Sequence, residues 1–184
     1  MADSKIQYGT QLLFADHATD FGAAPATAAN SLVVGTPVDV QMDLTSLAAS
    51  GGGHQSAKTA DLGVSRDHLF RVDACIEFAV APTDGNTVDF YWASSPSATA
   101  GTGNPTDITG TDAAYVDTSG LLSQLTYIGS LSCSADTVVI GEVGIFTPFH
   151  RYGSLVVINN AAQAFGAAMD ETHISVMPII STTE

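Results

Sequence analysis

Basic side chains are the scarcest feature of this chain. Five Lys and Arg stand against nineteen Asp and Glu in 184 residues, a formal charge of −14. That balance argues against a nucleic-acid partner, whose phosphates are bound by Lys and Arg, and against an anionic membrane surface for the same reason. Charged residues make up only 13% of the chain, so Ala, Thr, Ser and Gly must fill much of the surface. Such a surface suits packing against neighbours as well as water. Cys75 and Cys133 are the only cysteines, which imply no disulfide framework; two ordinary thiols are expected. The opening "MADSKIQYGTQLLFADHATDFG" lacks a basic stretch followed by an apolar one, and no apolar run reaches membrane-spanning length. The expectation is a soluble protein made inside the cell.

Catalytic signatures are absent too. There is no phosphate-binding P-loop, no GxGxxG leading from a strand into a helix, and no GxSxG elbow; "SGGGH" (50–54) reads as a flexible glycine cluster. The histidines (17, 54, 68, 150, 173) show no HxH or HExxH spacing, and no CxxC occurs. Asp39 and Asp43, and likewise Asp73 and Glu77, share a strand face four positions apart. Their Cα atoms then lie about 13 Å apart, beyond the roughly 5–9.5 Å of a glycosidase pair. Asp107 and Asp112 lie in the oxygen-rich loop "NPTDITGTDAAYVD", which could hold Ca²⁺ but does not match an EF-hand. No catalytic residue, cofactor or metal site is assigned, and no enzyme is expected.

What is present is period-two alternation. "VDVQMDL" places Val38, Val40, Met42 and Leu44 on one face. "LFRVDACIEFAV" turns Phe70, Val72, Ala74, Ile76, Phe78 and Val80 inward. Asp84-Gly85-Asn86 is a tight-turn signal, and "TVDFYWAS" follows with Val88, Phe90 and Trp92 inward, so residues 70–94 read as a β-hairpin. Trp92 thus belongs to the core, while Tyr91, with Tyr115, is a candidate sugar platform. Further strands are expected at 124–133, 137–146, 153–159 and 172–180, with a short helical candidate at 118–125 and a second at 159–169 that reads better as a loop with one turn. Strands at this spacing without βαβ alternation indicate an all-β, antiparallel β-sandwich, jelly-roll-like in topology. Residues 1–37, with Pro25, Pro37 and many small residues, read as an extended N-terminal arm, leaving 38–184 as the sandwich domain. Loops at 45–65 and 94–120 are long enough to be functional or held by a partner.

In "VGIFTPFHRYGSLVVINN" (143–160), Pro148 ends one strand and Phe149-His150-Arg151-Tyr152 forms a corner before the next. With no nucleophile or acid–base pair nearby, Arg151 is expected to pair with a carboxylate and fix the corner or dock a neighbour. The candidate contact residues are Phe14, Phe21, His54, Lys58, Arg66, His150, Arg151 and Tyr152.

The stretches "GTPVDVQMDLTSL", "FAVAPTDGNTVDFYWASSPSA", "GIFTPFHRYGSLVVINN" and "THISVMPII" resemble small virion structural proteins of tailed bacteriophages, most of all capsid decoration (cement) proteins. The likeness runs from about residue 30 to the C-terminus and carries no functional residues with it. It implies a non-enzymatic protein on the capsid exterior, bound to the major capsid protein of the same phage and self-associating as a homotrimer. The arm and the two long loops would be the contact elements. A neck, tail or baseplate protein is the next reading, and a carbohydrate-binding module for host-surface glycans the third.

Overall fold

The computed structural model describes residues 4–17, 21, 30–50, 52–55, 60–63, 69–105, 108–115, 120–167 and 170–183. Among them run twelve strands: β1 (Ser4–Tyr8), β2 (Leu12–Ala15), β3 (Val38–Gln41), β4 (Gly52–Gln55), β5 (Ala60–Asp61), β6 (Leu69–Glu77), β7 (Thr87–Ser95), β8 (Ala113–Tyr115), β9 (Thr126–Ser132), β10 (Val138–Phe146), β11 (Tyr152–Asn159) and β12 (His173–Thr183). Among the described residues a 3-10 turn, Leu121–Gln124, falls in the stretch expected to be helical at 118–125. The first sheet has the order β10-β6-β12-β2-β3, with β1 also on β12; the second has the order β8-β4-β11-β7-β9. All pairings within them are antiparallel except β2 with β3. The expected all-β sandwich is the observed architecture.

The layers are joined by one apolar core. Phe14, Val40, Phe70, Val72, Ile76, Ile174 and Val176 from the first sheet meet Val88, Phe90, Trp92, Leu131, Leu155 and Val157 from the second. Trp92 is 0% exposed. Its ring meets Phe14 edge-on at 6.5 Å and tilts against Phe146 at 5.3 Å. Gly153, on the neighbouring strand, makes room for it: a Cβ there would come within 2.5 Å of the indole.

Where the edges of the two layers meet, β9 and β10 pinch together through matched irregularities. Pairing slips at Ile128 on β9 and at Val143 on β10, so each strand carries one extra residue. Such bulges bend a strand and sharpen its twist. Both bulged side chains are buried, and the glycine after each, Gly129 and Gly144, lies against the opposite strand's carbonyl, Val143 O and Ile128 O.

Two expectations about this region are corrected. Residues 70–94 form no hairpin: β6 pairs with β10 and β12, whereas β7 pairs with β9 and β11. The Asp84-Gly85-Asn86 turn is real, with Gly85 at φ 80°, but it carries the chain across from one layer to the other. Val80, past the end of β6, is exposed rather than inward.

The N-terminal residues are no arm outside the domain. β2 lies between β12 and β3, and Leu12, Leu13, Phe14 and Ala15 are all buried. β1 and β2 run end to end along β12; pairing passes from Tyr8↔Ile179 to Leu12↔Val176 with one extra residue on the N-terminal side. Pro178, which has no N–H to give a ladder, sits at this interruption, and its carbonyl accepts the Gly9 N–H at 3.0 Å.

Both outer faces are also covered in part. Residues 30–34 cross the first sheet as a strap, and Phe21 packs there with Leu13, Ala15 and Val33. On the second sheet Ile108 and Leu125 cover Ala93, Val156 and Ile158. The loop expected at 94–120 is thus anchored by its own chain, and β8 lies within it. The expected loop at 45–65 likewise contains β4 and β5.

The Trp92–Gly153 contact yields a test by urea denaturation. Gly153→Ala is expected to destabilise the fold by about 3 kcal/mol, the upper part of the overpacking range, because a central strand and a core indole must both shift. A midpoint equal to that of the wild type would show that this contact is looser than described.

Candidate interaction surface

Pro148 is buried, and after it the chain turns out of β10 through Phe149, 75% exposed, and His150 into Arg151 and Tyr152. The Arg151 guanidinium forks onto Asp61: Nε donates to Oδ1 at 2.6 Å and a terminal nitrogen donates to Oδ2 at 2.5 Å. It also lies 5.0 Å from the centre of the Tyr152 ring. The Leu62 N–H donates to the Arg151 carbonyl at 2.9 Å, and the Gly63 N–H donates to Asp61 Oδ1 at 2.8 Å. One arginine therefore ties the β10–β11 corner to β5. The bond from Arg151 holds the Asp61 carboxyl below its usual range, against the opposing effect of burial. This pair stands at the surface, where solvent and salt screen it. It serves as a geometric clamp.

Apolar side chains gather at the same end. Leu69, Ile179 and Tyr8 occupy one cross-strand row, and Leu69 and Tyr8 are both exposed. Ile145 is exposed one row away opposite Arg71, and Val38 is exposed at the edge strand. A cleft of about 410 Å³ opens beside them, lined in part by Thr10, Val38, Asp61, Leu62, Phe70 and Ile180. Beyond Leu69, residues 180–183 pair with β1 alone among the described residues, as a two-stranded ribbon.

A second groove, about 440 Å³, lies on the outer face of the first sheet between the strap and β6. Tyr8, Leu32, Val34 and Met177 supply its apolar walls, and Arg71 and Asp73 its polar part. Arg71 donates to Asp73 at 2.7 Å and stands 3.6 Å from Glu142. Its charge is thus neutralised within the chain, and the bond to Asp73 raises its already high pKa.

The structure brings three of the expected contact residues together, His150, Arg151 and Tyr152, with Asp61 as the partner that sequence spacing did not reveal. Phe14 and Phe21 are corrected: both are buried, Phe14 against Trp92 and Phe21 stacked on His173 at 4.1 Å. They hold the fold and offer nothing to a partner. The backbone of His54 pairs with Val157 and Ala114, and its side chain lies outside the described residues, as do Lys58 and Arg66. Tyr91 is no free platform, since it packs against Tyr127 at 5.2 Å. Tyr115 pairs with Gly53 through its backbone, and its side chain is not described. Of the possible Ca²⁺ pair, Asp107 lies outside the described residues, and Asp112 accepts the Asp43 N–H at 3.0 Å. Among the described residues no three His, Cys, Asp or Glu groups converge as metal ligands.

Both cysteines are unpaired thiols and both are buried. Burial, followed by the nearby carboxylates of Glu171 and Glu77, pushes the Cys75 thiol up to about 12; burial also raises Cys133. Compared with known proteins, the chain matches no family model, no curated protein and no solved structure.

Two outcomes are expected here. Arg151→Ala should leave the sandwich folded yet speed amide exchange at Leu62 and Gly63, with a smaller difference at high salt; unchanged exchange there would show that β5 is held by something else. Cys75 should react with a thiol reagent at pH 8 at least about a hundredfold more slowly in the folded chain than in urea, since the thiolate is the reactive form. Equal rates would contradict its burial.

Proposed function

We propose that this chain is a non-enzymatic structural protein of a tailed-phage particle, binding the outside of the capsid lattice and stabilising it as a decoration protein. The observation that carries this reading is the set of exposed apolar side chains (Tyr8, Val38, Leu69, Ile145, Phe149) at one end of a stiff sandwich. Exposed apolar groups that cluster favour contact with another protein, and neutral small residues around them permit close packing. The nested strand order supports it further: β2 lies beside β12, β4 beside β11, and β6 and β7 beside those same two partners. That nesting supports the jelly-roll reading, an architecture common among capsid proteins. The sequence resemblance points the same way. Self-association as a trimer belongs to this proposal, because a threefold site on a shell selects a threefold partner.

The Arg151 clamp and the apolar end together would form the contact. Arg151 is neutralised by Asp61 before any partner arrives, so docking draws on buried apolar area and shape more than on charge. The surrounding negative charge steers the chain toward a basic surface on the major capsid protein.

The test is co-sedimentation of the purified protein with shells of its own phage that lack it, with copies per particle counted by quantitative mass spectrometry. Saturable binding at hundreds of copies is expected, and Phe149→Asp with Leu69→Asp should weaken it at least about tenfold without unfolding the chain. Absence of binding to shells, or a dozen or fewer copies in the virion, would reject decoration; the low count would favour the neck or tail.

A further inference from the structure

His173 is completely buried at the start of β12, and its surroundings fix its chemical form. Its Nε2 lies 2.8 Å from the Leu32 nitrogen, which is a donor, so Nε2 must accept. Its Nδ1 lies 2.6 Å from the Glu171 carbonyl oxygen, which is an acceptor, so Nδ1 must carry the proton. The ring is therefore neutral with its hydrogen on Nδ1, and a second proton has nowhere to go while Leu32 stays in place. Phe21 stacks on the ring with an interplanar angle of 16°.

The Leu32 segment is the strap over the outer face of the first sheet, and side-chain bonds fasten it. Gln11 Nε2 donates to the Leu32 carbonyl at 2.8 Å and to Ser175 Oγ at 2.6 Å, while Gln11 Oε1 accepts the Val34 N–H at 2.8 Å. Asn30 Nδ2 donates to Glu171 Oε2 at 2.5 Å. Among these polar bonds to 30–34, only the one to His173 is broken by adding a proton to an imidazole. We propose that His173 is a protonation-sensitive latch: neutral, it holds the 30–34 strap closed over the outer face; protonated, it releases the strap in mild acid and opens the groove beneath.

The neighbouring titratable groups shape this response without replacing it. Cys75 faces His173 across β6, and Glu77 follows on that strand, its N–H bonded to Thr172. Glu171 precedes the histidine, with its carboxylate engaged by Asn30. On the other side lie Asp16, which accepts from Gln41, and His17, 3.9 Å from Asp39 on β3. The strap itself (30–34) carries no titratable side chain. Burial lowers the His173 pKa below 6.5, outweighing the upward pull of the Glu171 carbonyl and carboxylate. The sign follows: an imidazole freed by opening binds protons more readily than the closed one. Closure is fully favoured above about pH 6.5 and is lost as pH falls from there toward the closed-state value.

Amide exchange on the full-length protein at pH 7.5 and 5.0, corrected for the intrinsic pH dependence, tests this. Protection at Leu32 and Val34 should fall by up to about thirtyfold at pH 5.0, the factor by which an open imidazole of pKa about 6.5 gains protons, while β7 and β11 amides keep theirs. His173→Gln, which retains an acceptor for Leu32 but binds no proton, should show equal protection at both pH values. Equal protection in the wild type, simultaneous loss across β7 and β11, or an undiminished pH response in the variant would each overturn the proposal. If the variant fails to fold, nitrogen NMR of the wild-type ring decides: an Nδ1–H tautomer at pH 7.5 is expected, and an Nε2–H tautomer contradicts it.

Discussion

The structure depends on one contact, the Trp92 indole wedged between Phe14 and Phe146 over the bare backbone of Gly153. It joins three parts of the chain that are distant in sequence: the N-terminal β2, the β7 strand and the β10–β11 corner. Aromatic side chains bury the most area per residue, and edge-on and tilted geometries add to that burial. The indole N–H finds no hydrogen-bond partner among the described residues. Burying such a group costs about 1–3 kcal/mol, so packing alone must hold the ring in place. Phe146, on which the indole packs, is the last residue of β10, just before the corner that Arg151 clamps.

A second constraint acts on the outer faces. A two-layer sandwich usually leaves these to water, with polar residues alternating outward. Here the first sheet turns Leu13, Ala15, His173 and Ser175 outward, and all are buried beside Phe21 and the strap. The cover is polar in its fastening and apolar in its filling. Gln11 and His173 satisfy strap backbone groups that would otherwise be stranded.

Much of the fold was legible in the sequence because β6, β7, β9 and β10 bury mainly one face and so alternate, while β11 and β12, buried on both faces, stand out as apolar runs rich in β-branched residues. β2 was illegible for a physical reason. "LLFA" is buried on both faces, so it has no alternation to detect, and the small residues that follow it made the region read as an arm. The false hairpin arose because a turn signal reports only that the chain reverses, while the choice of partner is made by the whole sandwich. Of the candidate surface, the corner at 149–152 was readable from Pro148 and the arginine that follows it. Its partner Asp61 lies 90 residues away, and the Gln11–Ser175 bond spans 164; one sequence gives no sign of pairings at such range.

Removal of residues 1–16 measures the central claim, that the N-terminal strand is part of the core. Leu12, Leu13 and Phe14 are each at most 5% exposed, and losing such side chains costs about 2–5 kcal/mol apiece, comparable in sum to the whole stability of an ordinary domain. Thermal unfolding of the truncated chain followed by near-ultraviolet circular dichroism should show no cooperative transition and a featureless Trp92 signal. A sharp transition within a few degrees of the full-length chain would contradict the account, and would return these residues to the status of an arm.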